Sequence, residues 1–273
     1  APPGPATIGD MMQFQFIPAG DNRLAASIDL PDHAGGGALP TVIVNHGLTG
    51  QRIGKSYHLV EFARRLNARG IACLRFDQGG CGESTGRFVD LTIPRMVDDL
   101  RAVRAWAVEQ PWCDGARLGF VGLSLGALPI VAVEGESPGV GVALWAPVYD
   151  MPRVFGLTAR TGLRALVEHQ GWVPYRGLRF GAEFVRRLDA VDTPNELARS
   201  GSPMLVFHAR NDDTVPFAES ESYRDRCAAL GRPFELAAWD RADHDFGEYE
   251  PRQELLGRTV EFFGECAARV AGG

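Results

Sequence analysis

Short apolar runs alternate with amphipathic stretches along most of the chain, the pattern of a parallel sheet covered by helices. Residues 41–45 (TVIVN), 71–76 (IACLRF), 117–123 (RLGFVGL), 140–146 (VGVALWA), 204–208 (MLVFH) and 234–239 (FELAAW) read as strands. Their nearly continuous apolar character predicts burial on both faces. Residues 12–17 and 24–30, flanking Pro18-Ala19-Gly20-Asp21-Asn22, predict an opening hairpin. Helical spacing at Leu59, Phe62, Ala63 and Leu66 stops at Gly70, a suitable C-cap. Thr92 and Pro94 open a second helix through Gln110, with Val97, Leu100, Val103 and Ala107 on one face. Residues 218–230 and 253–270 predict two more.

One stretch breaks this rhythm. Residues 150–198 contain no strand-like run, only short helical patterns over 163–170 and 183–190. A segment of that length exceeds an ordinary loop and predicts a lid over a site. The expected organisation is therefore a core in two parts, residues 1–149 and 199–273, interrupted by an insertion at 150–198.

Composition narrows the picture. With 45% hydrophobic and 23% charged residues the chain can build a sizeable core, which excludes a disordered protein. The net charge of −6 argues against nucleic-acid binding, and no apolar run approaches the roughly 20 residues of a membrane span. Lys55 is the only lysine among 28 basic residues, read here as codon bias. Five scattered cysteines without a CxxC predict reduced, mostly buried thiols and neither disulfides nor zinc. The chain starts at Ala1 with a Pro/Gly-rich run over 1–5 and no apolar leader, so a cytoplasmic location is expected. A signal peptide cleaved before Ala1 would leave no trace.

The strongest chemical signal is Gly122-Leu123-Ser124-Leu125-Gly126, between a strand-like run and the apolar helical stretch 127–133. In that context G-x-S-x-G is a nucleophile elbow, with Ser124 held at a strained turn and glycines allowing strand and helix to approach. Pro129 departs from the pattern by removing one helical donor. A serine hydroxyl needs a base and an orienting acid, in the chain order serine, acid, histidine. Of the later histidines, His169 falls in the insertion and His208 ends a strand, which leaves His244 in a polar loop as the base. Asp212 and Asp213 both follow the 204–208 strand, and spacing alone does not separate them as the acid. The backbone N–H groups of Leu125 and of Leu48, in His46-Gly47-Leu48-Thr49-Gly50, are the expected oxyanion donors, with His46 structural. Residues 77–84 (DQGGCGES) lack G-x-G-x-x-G spacing, and no H-E-x-x-H or Walker motif occurs, so neither metal nor other cofactor is expected.

Taken in order, His46-Gly47, Asp77 through Gly82 with Ser84, the Ser124 elbow, Asp212-x-x-Val215-Pro216 and His244 resemble the α/β-hydrolase superfamily over about residues 12–270. The resemblance implies a mostly parallel central sheet flanked by helices, and its Asp-x-x-Val-Pro match favours Asp212 as the acid. The 46–50 loop and the insertion look like those of bacterial feruloyl/cinnamoyl esterase-like carboxylesterases. The implied activity is hydrolysis of a small-molecule ester through an acyl-enzyme. The alternative is a biosynthetic thioesterase or acyltransferase with the same residues. Seven arginines against four acids over residues 150–189 would suit an anionic acyl group or carrier phosphate. A non-catalytic ligand receptor on the same fold is the reading from a different class. Trp145, Trp172, Tyr175 and Phe180 are candidates to line an acyl or aromatic pocket.

Overall fold

The computed structural model describes residues 12–32, 37–158 and 163–271. The Pro/Gly-rich run over 1–5 and Arg160, one of the seven arginines counted over 150–189, lie outside the described residues. The first part of the core runs β1 (Met12–Ala19), β2 (Asn22–Asp29), β3 (Leu39–Asn45), α1 (His58–Asn67), β4 (Ala72–Phe76), α2 (Ile93–Val108), β5 (Cys113–Leu123), α3 (Ala127–Glu136) and β6 (Val142–Trp145). The interrupting segment holds α4 (Met151–Thr158), α5 (Leu163–Gln170), β7 (Trp172–Tyr175), β8 (Leu178–Gly181), α6 (Ala182–Arg186) and α7 (Thr193–Leu197). The core resumes with β9 (Met204–Ala209), α8 (Ala218–Leu230), β10 (Phe234–Trp239) and α9 (Tyr249–Ala271).

Eight strands form one sheet in the order β1-β2-β4-β3-β5-β6-β9-β10, antiparallel at β1-β2 and β2-β4 and parallel elsewhere. Alternate side chains serve opposite layers, as the pleat requires. On β3, Val42 and Val44 join Leu59, Phe62 and Leu66 of α1 and Leu255, Leu256 and Phe263 of α9. Ile43 between them faces Leu100 and Val103 of α2 and Ile130 of α3. Burial on both faces explains why these strands carry no polar alternation. Pro129 falls in the first turn of α3, where a missing backbone donor costs least.

The insertion differs from expectation in its middle. Residues 172–181 form a hairpin of two four-residue strands, β7 and β8, joined by Arg176-Gly177 with φ of +48° and +82°. Strands this short, one containing Pro174, give too few alternations to register as a periodic pattern. The helix read over 183–190 shrinks to α6, and α7, capped by Asp192 with Pro194 in its first turn, was not legible as a helix. The insertion packs through a third cluster in which Phe180, Phe184, Val173 and Met151 meet Leu125 and Leu128 behind the elbow. Its entry is fixed by Glu219 of α8. The Glu219 carboxylate accepts the Tyr149 and Asp150 N–H groups at 2.8 and 2.7 Å and the Arg153 Nε–H at 2.6 Å. No helix among the described residues is long and apolar enough to cross a membrane.

Candidate active site

β5 ends at Leu123, and the chain turns through Ser124 into α3 with the Ser124 φ at +49°. Left-handed backbone is costly for a side chain bearing Cβ, and the crowding around it shows what enforces it. A Cβ on Gly126 would lie 2.5 Å from the carbonyl oxygens of Asn45 and His46, and one on Gly122 would lie 2.9 Å from Ala127 Cα. Only glycine fits at either position, so the G-x-S-x-G spacing is a packing requirement of the turn.

Asp212 and His244 come from the loops after β9 and β10, the two strands that follow β6 at the edge of the sheet. His244 Nε2 is 3.0 Å from Ser124 Oγ, and His244 Nδ1–H donates to Asp212 Oδ2 at 2.7 Å. That bond leaves the Nε2 lone pair toward the serine hydroxyl. Asp212 Oδ1 accepts the N–H groups of Thr214 and Val215 at 2.8 and 2.9 Å. Burial pushes the Asp212 carboxyl up, but hydrogen bonds from His208 and His244, the His244 charge and the Val215 N–H outweigh it. The group is held well below the usual carboxylate range. The neighbouring Asp213 instead accepts from the Thr214 hydroxyl at 3.2 Å.

The sequence reading missed a second contact to the acid. His208, fully buried at the end of β9, places Nε2 3.3 Å from Asp212 Oδ2 and 3.0 Å from the Val215 carbonyl. Its Nδ1 is 2.7 Å from Ser220 Oγ. The four-residue spacing from Asp212 across a tight turn was the available signal, but a strand-end histidine is ordinarily just packed.

His46 is structural, as expected. The Gln78 N–H donates to its Nε2 at 3.1 Å, its Nδ1–H donates to the Gly47 carbonyl at 2.7 Å, and burial pushes its basicity down. The Gln78 amide reaches Asn45 Oδ1 and the His46 carbonyl at 2.8 and 3.0 Å, and Asn45 donates to the Gly126 carbonyl at 3.0 Å. The loop after β3 is thereby tied to the elbow. The neighbouring 77–84 segment is a brace. Asp77 accepts the Arg52 and Glu83 N–H groups, and the Ser84 hydroxyl bridges the Asp77 carbonyl and the Ala25 N–H. The Leu48 and Leu125 N–H groups have no hydrogen-bond partner among the described residues, and both residues line the cavity that opens at Ser124.

This cavity measures about 450 Å³. Its wall is mainly apolar, with Leu123, Trp145, Val148, Val154, Phe155 and Phe246 prominent, and the insertion supplies part of it through Met151, Val154, Phe155, Tyr175 and Arg176. Of the four candidate aromatics, Trp145 and Tyr175 face the cavity, whereas Phe180 is buried in the insertion's core and Trp172 is outside the lining. Non-glycine residues with positive φ concentrate here. Thr49, Ser124, Arg176 and Phe246 lie on the wall, and Ser56, Tyr57 and Ala146 each adjoin a residue on it.

A nucleophile-bearing turn at the carboxyl edge of a mainly parallel eight-stranded sheet, with acid and histidine on later loops, defines an α/β hydrolase. The prolyl oligopeptidase family matches residues 65–269, three quarters of the chain, and the chain belongs to it. Among solved structures, Est1E of Butyrivibrio proteoclasticus with ferulic acid bound superposes with a TM-score of 0.79 at 20% identity, covering 95% of this chain and 100% of that one. The esterase domain of a Rhodothermus marinus protein gives 0.67 at 24% identity over 93% and 99% of the two chains. A puromycin-hydrolyzing peptidase of Mycobacterium tuberculosis gives 0.76 at 18% identity over 94% of this chain and 39% of that one. Two curated Mycobacterium tuberculosis proteins described as uncharacterized are 29% identical over 235 residues, 86% of this chain and 73% of theirs.

Proposed function

We propose that the protein hydrolyses carboxylic esters of small molecules through an acyl-enzyme on Ser124. The observation that carries this reading is the continuous relay from Ser124 Oγ through His244 to Asp212, opening onto an apolar cavity of about 450 Å³. Ser124 Oγ attacks the acyl carbonyl while His244 Nε2 takes its proton. Asp212, kept ionised by its hydrogen bonds, holds the ring orientation and stabilises the imidazolium. The Leu48 and Leu125 N–H groups receive the oxyanion. His244 returns the proton to the departing alkoxide, and water repeats the sequence to free the acid. Residues 150–198 act as a lid that excludes bulk water from the cavity.

Peptide-bond cleavage is the second reading, favoured by the family match. The size of the cavity supports a small ester over an extended peptide, and the thioester alternative uses the same relay. The test is a panel of p-nitrophenyl esters from acetate to dodecanoate with methyl ferulate, a matching acyl thioester and a prolyl p-nitroanilide. Ester turnover should exceed that of the anilide and the thioester and fall by about a millionfold in Ser124→Ala. A fluorophosphonate should label Ser124 in the native protein. Preferred cleavage of the anilide would move the assignment to a peptidase.

A further inference from the structure

The acyl-transfer chemistry uses none of the charges at the cavity mouth. Two cations line it, one from each side. Lys55 lies on the core side, in a short stretch where Gly54, Ser56 and Tyr57 have φ of +71°, +49° and +63°. Arg176 lies on the insertion side, at the tip of the β7–β8 hairpin. A two-residue hairpin turn with both central residues at positive φ favours Asn-Gly or Asp-Gly, and arginine enters it only with backbone strain.

The two charges are balanced differently. Lys55 Nζ is 2.6 Å from Asp245 Oδ2. Arg176 has no carboxylate partner among the described residues, and its guanidinium rests 5.6 Å from the centre of the Tyr175 ring. Asp245 chiefly, with Asp243, holds the Lys55 ammonium above the usual lysine range, and Arg176 is near enough to oppose them weakly. Of the acids nearby, Asp245 is paired with Lys55, and Asp243, which also favours the Lys55 charge, accepts the Gly247 N–H and does not line the cavity. The Arg176 guanidinium is therefore a positive charge at the mouth with no carboxylate paired to it among the described residues, on a chain whose net charge is −6. Val154, Phe155, Tyr175 and Phe246 line the same cavity as Arg176, Lys55 and Ser124.

The geometry points to an anion subsite formed by Arg176 with Lys55, so that the preferred substrate is an ester carrying a carboxylate remote from its scissile carbonyl across an apolar spacer. This inference rests on the ester-hydrolase reading and names its substrate class. A guanidinium offers paired donors to a carboxylate, and an apolar surround strengthens the contact.

The experiment compares kcat/KM for charged and neutral partners of matched length. On the acyl side these are mono-p-nitrophenyl esters of succinate through adipate against their methyl diesters. On the alcohol side they are 4-acetoxybenzoate against its methyl ester. The charged member should win by about tenfold in at least one arm, and the advantage should shrink in about 0.5 M KCl. Arg176→Gly suits the turn and should bring the charged-to-neutral ratio close to one, whereas Arg176→Lys should retain part of it. Equal or faster turnover of the neutral esters in both arms overturns the subsite and leaves the esterase reading standing. So does a preference that survives both Arg176→Gly and Lys55→Gln. If no ester in any panel is hydrolysed, the esterase reading has failed, and the subsite is read by titrating Ser124→Ala with monomethyl against dimethyl adipate. Tighter binding of the monoester supports it, and equal binding overturns it.

Discussion

Asp212 and Asp99 show how two buried carboxyls acquire opposite properties. Asp212 is surrounded by donors and stays ionised deep into acid. Asp99 of α2 is also buried, but among the described residues it accepts only the Gly79 N–H, at 2.7 Å, and Asp98 lies nearby. Burial chiefly, reinforced by Asp98, pushes its carboxyl up to about 6. A folded-state value above the unfolded one means that its stabilising contribution is complete below the ordinary carboxylate range and is lost as pH rises through about 6. Asp99→Asn keeps an acceptor for Gly79 without the charge. Thermal unfolding should show it about 2 kcal/mol more stable than wild type at about pH 8, with the gain shrinking toward about pH 4.

At the scale of elements, the insertion depends on one contact with the core more than on its own short pieces. Glu219 is fully buried on α8 and satisfies two backbone donors and Arg153 at the entry to α4. Truncation would strand the Tyr149 and Asp150 N–H groups away from water. Glu219→Ala should cost about 3 kcal/mol in urea unfolding and raise KM for neutral esters more than it lowers kcat, because the cavity wall at Met151, Val154 and Phe155 loosens while the Ser124 relay stays intact. Unchanged KM with an intact fold would show that the wall does not need this anchor. The β7–β8 hairpin, absent from the periodicity analysis, is what brings Tyr175 and Arg176 to the cavity.

Across the whole molecule, the sheet buries both faces so thoroughly that reactive groups other than the site are sealed. All five cysteines are buried and unpaired, and burial raises each thiol, Cys81 to about 12 and Cys227 and Cys266 to about 11. Thiolates, not thiols, react with disulfide reagents. The native protein should therefore be inert to Ellman's reagent near neutral pH, and five equivalents should appear in guanidinium chloride. A thiol that reacts at once in the native state would show that one of the clusters opens readily.

The elements that buried strands and amphipathic helices build were legible from the chain alone, because periodicity reports which face is hidden. The 218–230 and 163–170 helices match their predicted bounds, and the parallel strands at 41–45 and 204–208 fall inside β3 and β9. Ser124 was legible for a local reason: two glycines flank it where backbone must pass within contact distance of other backbone. His244 followed from its place after the last strand, and Asp212 from a resemblance, since neither period nor spacing separates it from Asp213. Tertiary structure alone decided the rest. His208 reaches Asp212 because the chain reverses between them, and the start of the loop that carries Leu48 is tied to the elbow through Asn45, which Gln78 holds. Arg176 faces Lys55's side of the mouth across 121 positions of sequence. Local pattern records how much of a residue is buried, whereas partnership between distant side chains exists only once the sheet has set its strand order.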